Sequence, residues 1–105
     1  MIAVLTLEIR IEGAHSLKDK RQVMRSLKDK LRVSFNVATA ELEQTELWQR
    51  GTIGVVSINS SKDYLRGLME QVERAANRIA NNAGGEVVDS FVAFMDDKLE
   101  GLEGE

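Results

Sequence analysis

Strand-like and helix-like hydrophobic patterns alternate along this chain in an order that few folds accommodate. Residues 2–11 place apolar side chains at every second position, which is typical of a half-buried strand. Residues 17–33, and the segment from Ser60 to Ala83, place them three and four positions apart, which predicts two amphipathic helices. Three further strands are predicted at 35–42, 52–59 and 86–95. The predicted element order is therefore β-α-β-β-α-β.

Polar residues and glycines predict where the two helices begin and end. Each helix is preceded by a Ser that is followed three residues later by an Asp, which resembles a capping box. The two pairs are Ser16 with Asp19 and Ser60 with Asp63. Gly84 and Gly85 predict the end of the second helix, because glycine adopts the left-handed cap conformation at little cost.

This element order is that of the ferredoxin-like, or split βαβ, fold, an α+β architecture. Right-handed crossovers place both helices on one face of a four-stranded antiparallel sheet. The expected strand order is 4-1-3-2, which puts the first and third strands in the centre. We predict a single domain over residues 1–97 and a flexible acidic tail over residues 98–105.

The composition excludes several classes of protein. No cysteine occurs among the 105 residues, which excludes disulfides, thiolate metal sites and a cysteine nucleophile. The start of the chain lacks the features of a signal peptide, and no apolar run approaches the roughly 20 residues that span a bilayer, so we expect a cytoplasmic protein without a membrane partner. His15 is the only histidine, and no second ligand accompanies it at metal-binding spacing. We accordingly predict no metal, no cofactor and no enzymatic activity, since no residue set meets the geometric requirements of catalysis.

The first predicted helix is strongly basic, although the net charge of the protein is −3. Residues 16–32 contain seven Lys or Arg residues and two Asp residues, a local charge of +5. Five of the seven fall within about 80° of one another on a helical wheel. They are Lys18, Arg21, Arg25, Lys28 and Arg32, called the basic stripe below. Residues 86–105 carry a charge of −6, so the pattern indicates a polarised surface.

Two interpretations of the basic stripe remain open. A row of cations is suited to backbone phosphates and would give salt-dependent, sequence-tolerant nucleic-acid binding. Alternatively, the stripe is a solvated helix face whose aliphatic stems cover the edge of the core. Base stacking of the kind used by RNA-recognition motifs is not expected, because the two central strands contain no Phe, Tyr or Trp. If a nucleic acid binds, the first helix is the predicted contact.

A different function would use the uncovered face of the sheet. The residues that would leave apolar area there, depending on strand register, are Val4, Val56, Val92 and Phe94. Exposed apolar patches often mark interfaces, so this alternative predicts a homodimer or another protein-interaction module without nucleic-acid binding. A small-ligand-sensing module is a related alternative, because Gly13 at the first strand–helix turn would let a ligand approach the backbone closely.

The segment before the third strand contains the only tryptophan, Trp48. It either anchors a partner or has a structural role, in which it closes the core or covers the end of a strand. Arg50 could stack on Trp48 or pair with Glu41. Asn36 and Glu41 are five positions apart, so on a regular strand they point to opposite faces and do not share a pocket.

The order of these residues resembles the YlxP-like family of small bacterial proteins, a domain of unknown function. The family pattern runs from a Ser-Leu-Lys-x-Lys-Arg helix start, through Phe-Asn and a Glu in the second strand, to Trp-Gln before the third. The likeness covers residues 2–95. The matching positions are Ser16, Leu17, Lys18, Lys20, Arg21, Phe35, Asn36, Glu41, Trp48 and Gln49. Glu46 and Gly51 depart from the pattern, where the family more often has Asp and Ala.

The resemblance implies a ferredoxin-like fold and a gene neighbourhood of translation-initiation and ribosome-maturation genes, near ribosome-binding factor A. By that association it suggests a role in ribosome assembly or RNA binding. Together with the basic stripe, this gives our leading hypothesis: an accessory protein that contacts ribosomal RNA or a ribosomal subunit. Four residues of the family pattern or beside it keep no assigned role: Asn36, Glu41, Trp48 and Arg50.

Overall fold

The computed structural model describes residues 1–42 and 47–96 and confirms the predicted element order. Its strands are β1 (Ile2–Arg10), β2 (Ala38–Glu41), β3 (Arg50–Ile58) and β4 (Glu86–Met95). Its helices are α1 (Leu17–Ser34) and α2 (Lys62–Asn82). The predicted acidic tail at 98–105 lies outside the described residues.

The four strands form one antiparallel sheet in the order β2-β3-β1-β4, which is the predicted order. β1 is central and pairs along its whole length with β3, ending at Arg10 opposite Arg50. On its other side β1 pairs with β4, and the register shifts between Glu8 and Ile9, as at a β-bulge. β2 and β4 are therefore the edges of the sheet.

Alternating residues of β1 form the centre of the hydrophobic core. The buried positions of the strand are Ala3, Leu5, Leu7 and Ile9, and Ile11, directly after the strand, is also buried. The apolar stripes of both helices cover this face of the sheet. Their largest fully buried side chains are Met24, Leu27 and Leu31 from α1, and Leu65, Met69 and Val72 from α2. Since each such side chain contributes about 1.5–3 kcal/mol when fully buried, the core fixes which face of the sheet the helices occupy and leaves the other face open.

The start of α1 is capped as predicted. The Ser16 hydroxyl oxygen accepts a hydrogen bond of 3.2 Å from the Asp19 backbone N–H. The Asp19 carboxylate in turn accepts a bond of 3.0 Å from the backbone N–H of His15, one residue before the position that a capping box uses. Two of the otherwise unpaired N–H groups around the helix start are thereby satisfied.

The predicted cap of α2 is wrong by one residue. Ser61, not Ser60, caps the helix, and its hydroxyl oxygen accepts from the Tyr64 N–H at 3.1 Å. The Asn59 side chain selects this serine, because its carbonyl oxygen accepts from the Ser61 N–H at 2.8 Å. Asn59 fixes the chain direction before the first turn, a signal that the spacing of Ser and Asp alone did not contain.

The end of α2 is as predicted. Gly84 has a φ of +89°, in the left-handed region that favours glycine. The N–H of Gly85 donates to the Ala80 carbonyl at 2.7 Å, which satisfies one of the last carbonyls of the helix.

The second strand is shorter than the predicted 35–42. Phe35 ends α1, with its N–H donating to the Leu31 carbonyl at 3.0 Å. The Val37 N–H then donates to the Phe35 carbonyl at 2.9 Å, so residues 35–37 form a tight turn before strand pairing begins.

The third strand is longer than the predicted 52–59 at its start and one residue shorter at its end. It begins at Arg50 because pairing with β1 persists to Arg10, and it ends at Ile58. Within the described residues, no helix combines the length and the apolar character needed to cross a membrane.

Candidate nucleic-acid interface

The basic stripe runs along one side of α1, next to the β2 edge of the sheet. α1 packs on β2 and β3, and the Thr39 hydroxyl donates to the Lys28 carbonyl at 3.4 Å. This contact places the Lys28 end of the stripe beside the short edge strand. Lys28 is half-buried and the other four members of the stripe are exposed, as the helical wheel predicts.

Within residues 1–42 and 47–96, most of the stripe forms no ion pair. Arg32 pairs with Asp29 at 3.1 Å, an exposed pair of a kind that contributes little to stability. Among the residues that the structure describes, Lys18, Arg21, Arg25 and Lys28 form no ion pair. Their charges are therefore available to an external anion.

The first half of the stripe borders a shallow depression of about 270 Å³. Its lining consists of Lys18, Arg21, Gln22 and Arg25. Neighbouring members lie three or four residues apart, so their Cβ atoms are about 5–6 Å from one another. This gives a concave, cationic surface with an amide hydrogen-bonding group, which fits an extended chain of phosphates.

Lys20 is the residue whose role sequence reasoning missed. It is one of the seven basic residues of the segment 16–32, but only 3% of it is exposed. Its Nζ donates a hydrogen bond of 3.0 Å to the Leu47 carbonyl, so the side chain is used internally to hold the segment before β3. The signal was present in the helical wheel, because Lys20 falls among the apolar positions of α1, about 20° from Leu27 and from Leu31.

Asn36 lies in the turn between α1 and β2 and is exposed. Its carbonyl accepts from the Ser57 hydroxyl at 2.9 Å, which links this turn to β3. A depression of about 360 Å³ opens beside it. The lining is Ile2, Asn36, Val37, Ala38, Val56, Ser57 and Ile58, a largely apolar set without a charged group.

Glu41 and Arg50 are not brought together. Glu41 is opposite Ile53 on the helix-facing side of the sheet, whereas Arg50 is opposite Arg10 on the open face. The predicted pairing of Arg50 with Glu41 is therefore wrong, because residues on opposite faces of a sheet point away from each other. Asn36 precedes the strand altogether, and it does not share a pocket with Glu41.

Trp48 lies in the turn that leads into β3, and 48% of its surface is exposed. It does not belong to the buried core, so of the two predicted roles the core-closing one is not seen. The adjacent Gln49 carbonyl accepts from the Ile11 N–H at 2.9 Å, which anchors the turn to the end of β1. Residues 43–46 lie outside the described part of the chain.

The open face of the sheet is divided into an apolar half and a charged half. Register places Val4 and Val56 on this face, as predicted. The prediction for Val92 and Phe94 is wrong: they are opposite Leu5 and Ala3, on the helix-facing side. The exposed large side chains of the apolar half are Leu42, Val56, Ile58, Phe91 and Met95. The faces of Val92 and Phe94 are set by the register in which β4 pairs with β1, and the sequence of β4 alone does not specify that register.

The charged half of the open face is held by polar contacts. Arg10 donates to the Glu86 carboxylate at 2.8 Å, and its Nε lies 3.5 Å from Glu12. The hydrogen bond and charge of Glu86, and the charge of Glu12, raise the pKa of Arg10 above its ordinary value. Beside this group, the Thr52 hydroxyl donates to the Glu8 carboxylate at 2.9 Å.

Phe94 is on the helix-facing side of the sheet, under the first turn of α2. Lys62 Nζ lies 5.1 Å from the centre of its ring, and the Arg66 guanidinium carbon 5.6 Å. These cation–π contacts position the first turn of α2 over the β4 edge.

The remaining candidates hold no site. In residues 1–42 and 47–96, no three His, Cys, Asp or Glu side chains are grouped closely enough to bind a metal. His15 is exposed at the start of α1, where its backbone N–H belongs to the cap. A Cβ added at Gly13 would meet nothing within 4 Å, so no close approach requires glycine there.

The four-stranded antiparallel sheet, with two helices packed on one of its faces, defines this molecule as an α+β protein of the ferredoxin-like kind. A family model described as protein of unknown function (DUF503) matches residues 2–91, and the chain belongs to that family.

A sequence relative confirms the resemblance to YlxP-like proteins. The uncharacterized protein YlxP of Bacillus subtilis (strain 168) is 34% identical over 62 residues, which cover 59% of this chain and 67% of that protein. Its description names it as uncharacterized.

Two solved structures show the same fold. A C-terminal segment of the alpha subunit of aIF2 from Pyrococcus abyssi is similar with a TM-score of 0.52 at 12% identity, over 93% of this chain. This chain spans about half of the length of that segment (52%). The de novo designed protein Foldit4 is similar with a TM-score of 0.55 at 13% identity, over 91% of this chain and 100% of the design. At these identities the likeness shows the fold alone.

Proposed function

We propose that this protein is a non-enzymatic accessory protein that binds ribosomal RNA, free or in a ribosomal subunit, through the basic stripe of α1. One observation supports the proposal above all: Lys18, Arg21, Arg25 and Lys28 lie in a row, and within the described residues they form no ion pair. A row of uncompensated cations attracts phosphates and releases their counterions, while it does not read bases.

The mode of binding follows from the shape of this surface. The row covers the 15 residues of α1 from Lys18 to Arg32, and the rise between its two ends is about 21 Å, enough for several consecutive phosphates. No aromatic side chain lies in the row, so we expect weak dependence on RNA sequence and strong dependence on salt.

The test is a binding titration with ribosomal subunits and with short ribosomal RNA, repeated over a series of salt concentrations. The variant Arg21→Ala/Arg25→Ala/Lys28→Ala should bind more weakly to all RNA sequences, and its salt slope should fall by about one unit for each lost contact. The matched control is Lys30→Ala/Arg74→Ala/Arg78→Ala, which removes the same charge from exposed positions outside the stripe. It should keep the wild-type slope.

Two results would contradict the proposal. Equal losses in the two variants would mean that net charge, and not the stripe, governs binding. Absence of binding by the wild-type protein at low salt would make the stripe a solvated helix face.

A protein-interaction module is the second candidate function, favoured by the apolar half of the open sheet face. Ile58, Phe91 and Met95 are 63%, 59% and 51% exposed, and contiguous apolar patches of this kind mark protein interfaces. Light scattering on the wild type and on Ile58→Lys tests it. A complex that Ile58→Lys dissociates supports this candidate, and a strict monomer at high concentration argues against it.

A further inference from the structure

The outer edge of β4 differs from the other edge of the sheet. β2 is only four residues long, and it lies beside the basic stripe, so charge and shortness protect it from pairing with another chain. β4 is ten residues long, and its second half, residues 90–95, contains no charge, proline or glycine. Its register irregularity lies near the other end, opposite Glu8 and Ile9. Within the described part of the chain, residues 90–95 therefore present regular backbone N–H and C=O groups without the usual protection.

Two large apolar side chains along this edge are exposed. Phe91 is 59% exposed on the open face, and Val92 is 42% exposed although it points to the helix-facing side. An exposed, apolar and regular edge strand is a template for pairing with another strand.

We propose that the β4 edge binds a second copy of this chain, in antiparallel register, across a two-fold axis centred on Val92. The two sheets then form one continuous sheet of eight strands. This inference is independent of the proposed RNA binding, because the β4 edge and the basic stripe are at opposite edges of the molecule.

Self-pairing is favoured by the order of side-chain sizes in β4. With Val92 opposite Val92 of the second copy, Phe91 is opposite Ala93 on the open face, and Phe94 is opposite Ser90 on the helix face. Each aromatic ring therefore faces a small side chain, which lets the rings pack without crowding. The two residues of each opposed pair are an even number of positions apart in the sequence, so their side chains lie on the same face of the joined sheet. The two-fold axis requires this arrangement.

The charges on the side of α2 that lies towards β4, called the flank below, also favour a second copy of this chain as the partner. On a helical wheel, Lys62, Arg66, Glu70, Glu73 and Asn77 fall within about 80° of one another. The contacts of Lys62 and Arg66 with Phe94 show that this side of α2 lies towards β4. The two-fold brings the basic start of this flank in one α2, Lys62 and Arg66, next to its acidic middle in the other, Glu70 and Glu73, so the flank is complementary to itself.

The position of α2 also supplies interface area. α2 packs on both β1 and β4, so joining the two β4 edges sets the two α2 axes about 10 Å apart, a normal helix packing distance. The interface therefore consists of the strand edge and a helix flank. A strand edge alone would bury less than the roughly 800 Å² per partner of a standard interface.

Sedimentation equilibrium over a range of protein concentrations tests the proposal. We expect the wild type to form a dimer, and Val92→Lys to raise the dissociation constant about tenfold or more, because it places two charges opposite each other at the axis. Ile58→Lys is the matched control: Ile58 is exposed on the open face in β3, away from the β4 edge. It should leave the dissociation constant within about twofold.

A charge exchange tests the register without altering β4. Lys62→Glu/Arg66→Glu and Glu70→Lys/Glu73→Lys should each weaken the dimer, and an equimolar mixture of the two should restore a heterodimer. Circular dichroism confirms that each variant is folded. A strictly monomeric wild type, a dimer lost in Ile58→Lys but kept in Val92→Lys, or a mixture that stays monomeric would each overturn the proposal.

Discussion

The ammonium group of Lys20, buried under α1, donates a hydrogen bond of 3.0 Å to the backbone carbonyl of Leu47. Leu47 directly precedes Trp48 and the turn into β3, so this bond ties the first helix to the segment that delivers the third strand. Burial of a lysine destabilises the folded state unless its ammonium group is hydrogen-bonded. Here the Leu47 carbonyl oxygen provides one such hydrogen bond.

Lys20→Met should therefore lower the free energy of unfolding by about 1–3 kcal/mol, since a charged donor to Leu47 is lost from a buried position. Urea denaturation, followed by Trp48 fluorescence, measures the loss and also reports on the neighbouring turn. Lys30→Met is the control, because Lys30 is exposed on the same helix. Its effect should stay within about 0.5 kcal/mol, and equal effects of the two variants would contradict the assigned role.

Gly51 lies against the end of the Met24 side chain. A Cβ at Gly51 would be 2.4 Å from Met24 Cε and 2.8 Å from its Sδ, so Gly51→Ala requires Met24 to move. We expect it to destabilise the protein by about 1–3 kcal/mol, the usual cost of overpacking. In the background of Met24→Val, which removes both crowded atoms, the same substitution should cost clearly less. Additive losses in this double-mutant cycle would show that the two residues are not coupled.

The cap of α2 can be tested with two adjacent serines. Ser61→Ala should cost about 0.5–2 kcal/mol of stability, because the Tyr64 N–H loses its acceptor. Ser60→Ala should cost less than about 0.5 kcal/mol. Chemical denaturation of both variants decides between the observed cap and the one predicted from spacing. The larger loss in Ser60→Ala would contradict the observed helix start.

Arg10 gives an expectation about pH. Glu86 and Glu12 raise the pKa of Arg10 in the folded protein. A group whose pKa is raised by folding stabilises the folded state at every pH below its unfolded pKa. This stabilisation is lost only as the pH rises through the folded pKa. Both pKa values lie well above the range between about pH 7 and 10, so the stabilisation should be constant within it.

Arg10→Gln should accordingly lower the melting temperature by the same amount at about pH 7 and pH 10, and by less at high salt, since this ion pair is exposed to screening. Arg74→Gln serves as the control, because Arg74 is exposed and has no ion pair within the described residues. A difference between Arg10→Gln and wild type that disappears at the higher pH would contradict the assignment.

The sequence predicts the fold well because its periodic signals are strong. The alternation of Leu5, Leu7 and Ile9 identifies a strand with one buried face, and the strand order follows from right-handed crossovers. The errors lie where the outcome depends on contacts between elements. Val92 and Phe94 were placed on the wrong face because the register of β4 is set by β1.

The candidate interface shows the same division. The exposure of Arg21 and Arg25 follows from helical geometry and is predictable. The different role of Lys20 depends on where the Leu47 carbonyl lies after folding, although its position on the apolar arc of the wheel already separates it from the basic stripe. No local pattern places Glu41 and Arg50 on opposite faces, because β2 and β3 must first be paired.

The central position of β1 also bears on how the chain folds during synthesis. Its two neighbours are made later, and pairing with β4 joins Ile2 to Met95, almost the whole described length of the chain. During translation β1, α1, β2 and β3 are synthesised before β4. Until β4 is available, one edge of β1 is unpaired and part of the core is uncovered. Such long-range closure is of the kind that slows folding, because the two ends of the described chain must meet before β4 completes the sheet.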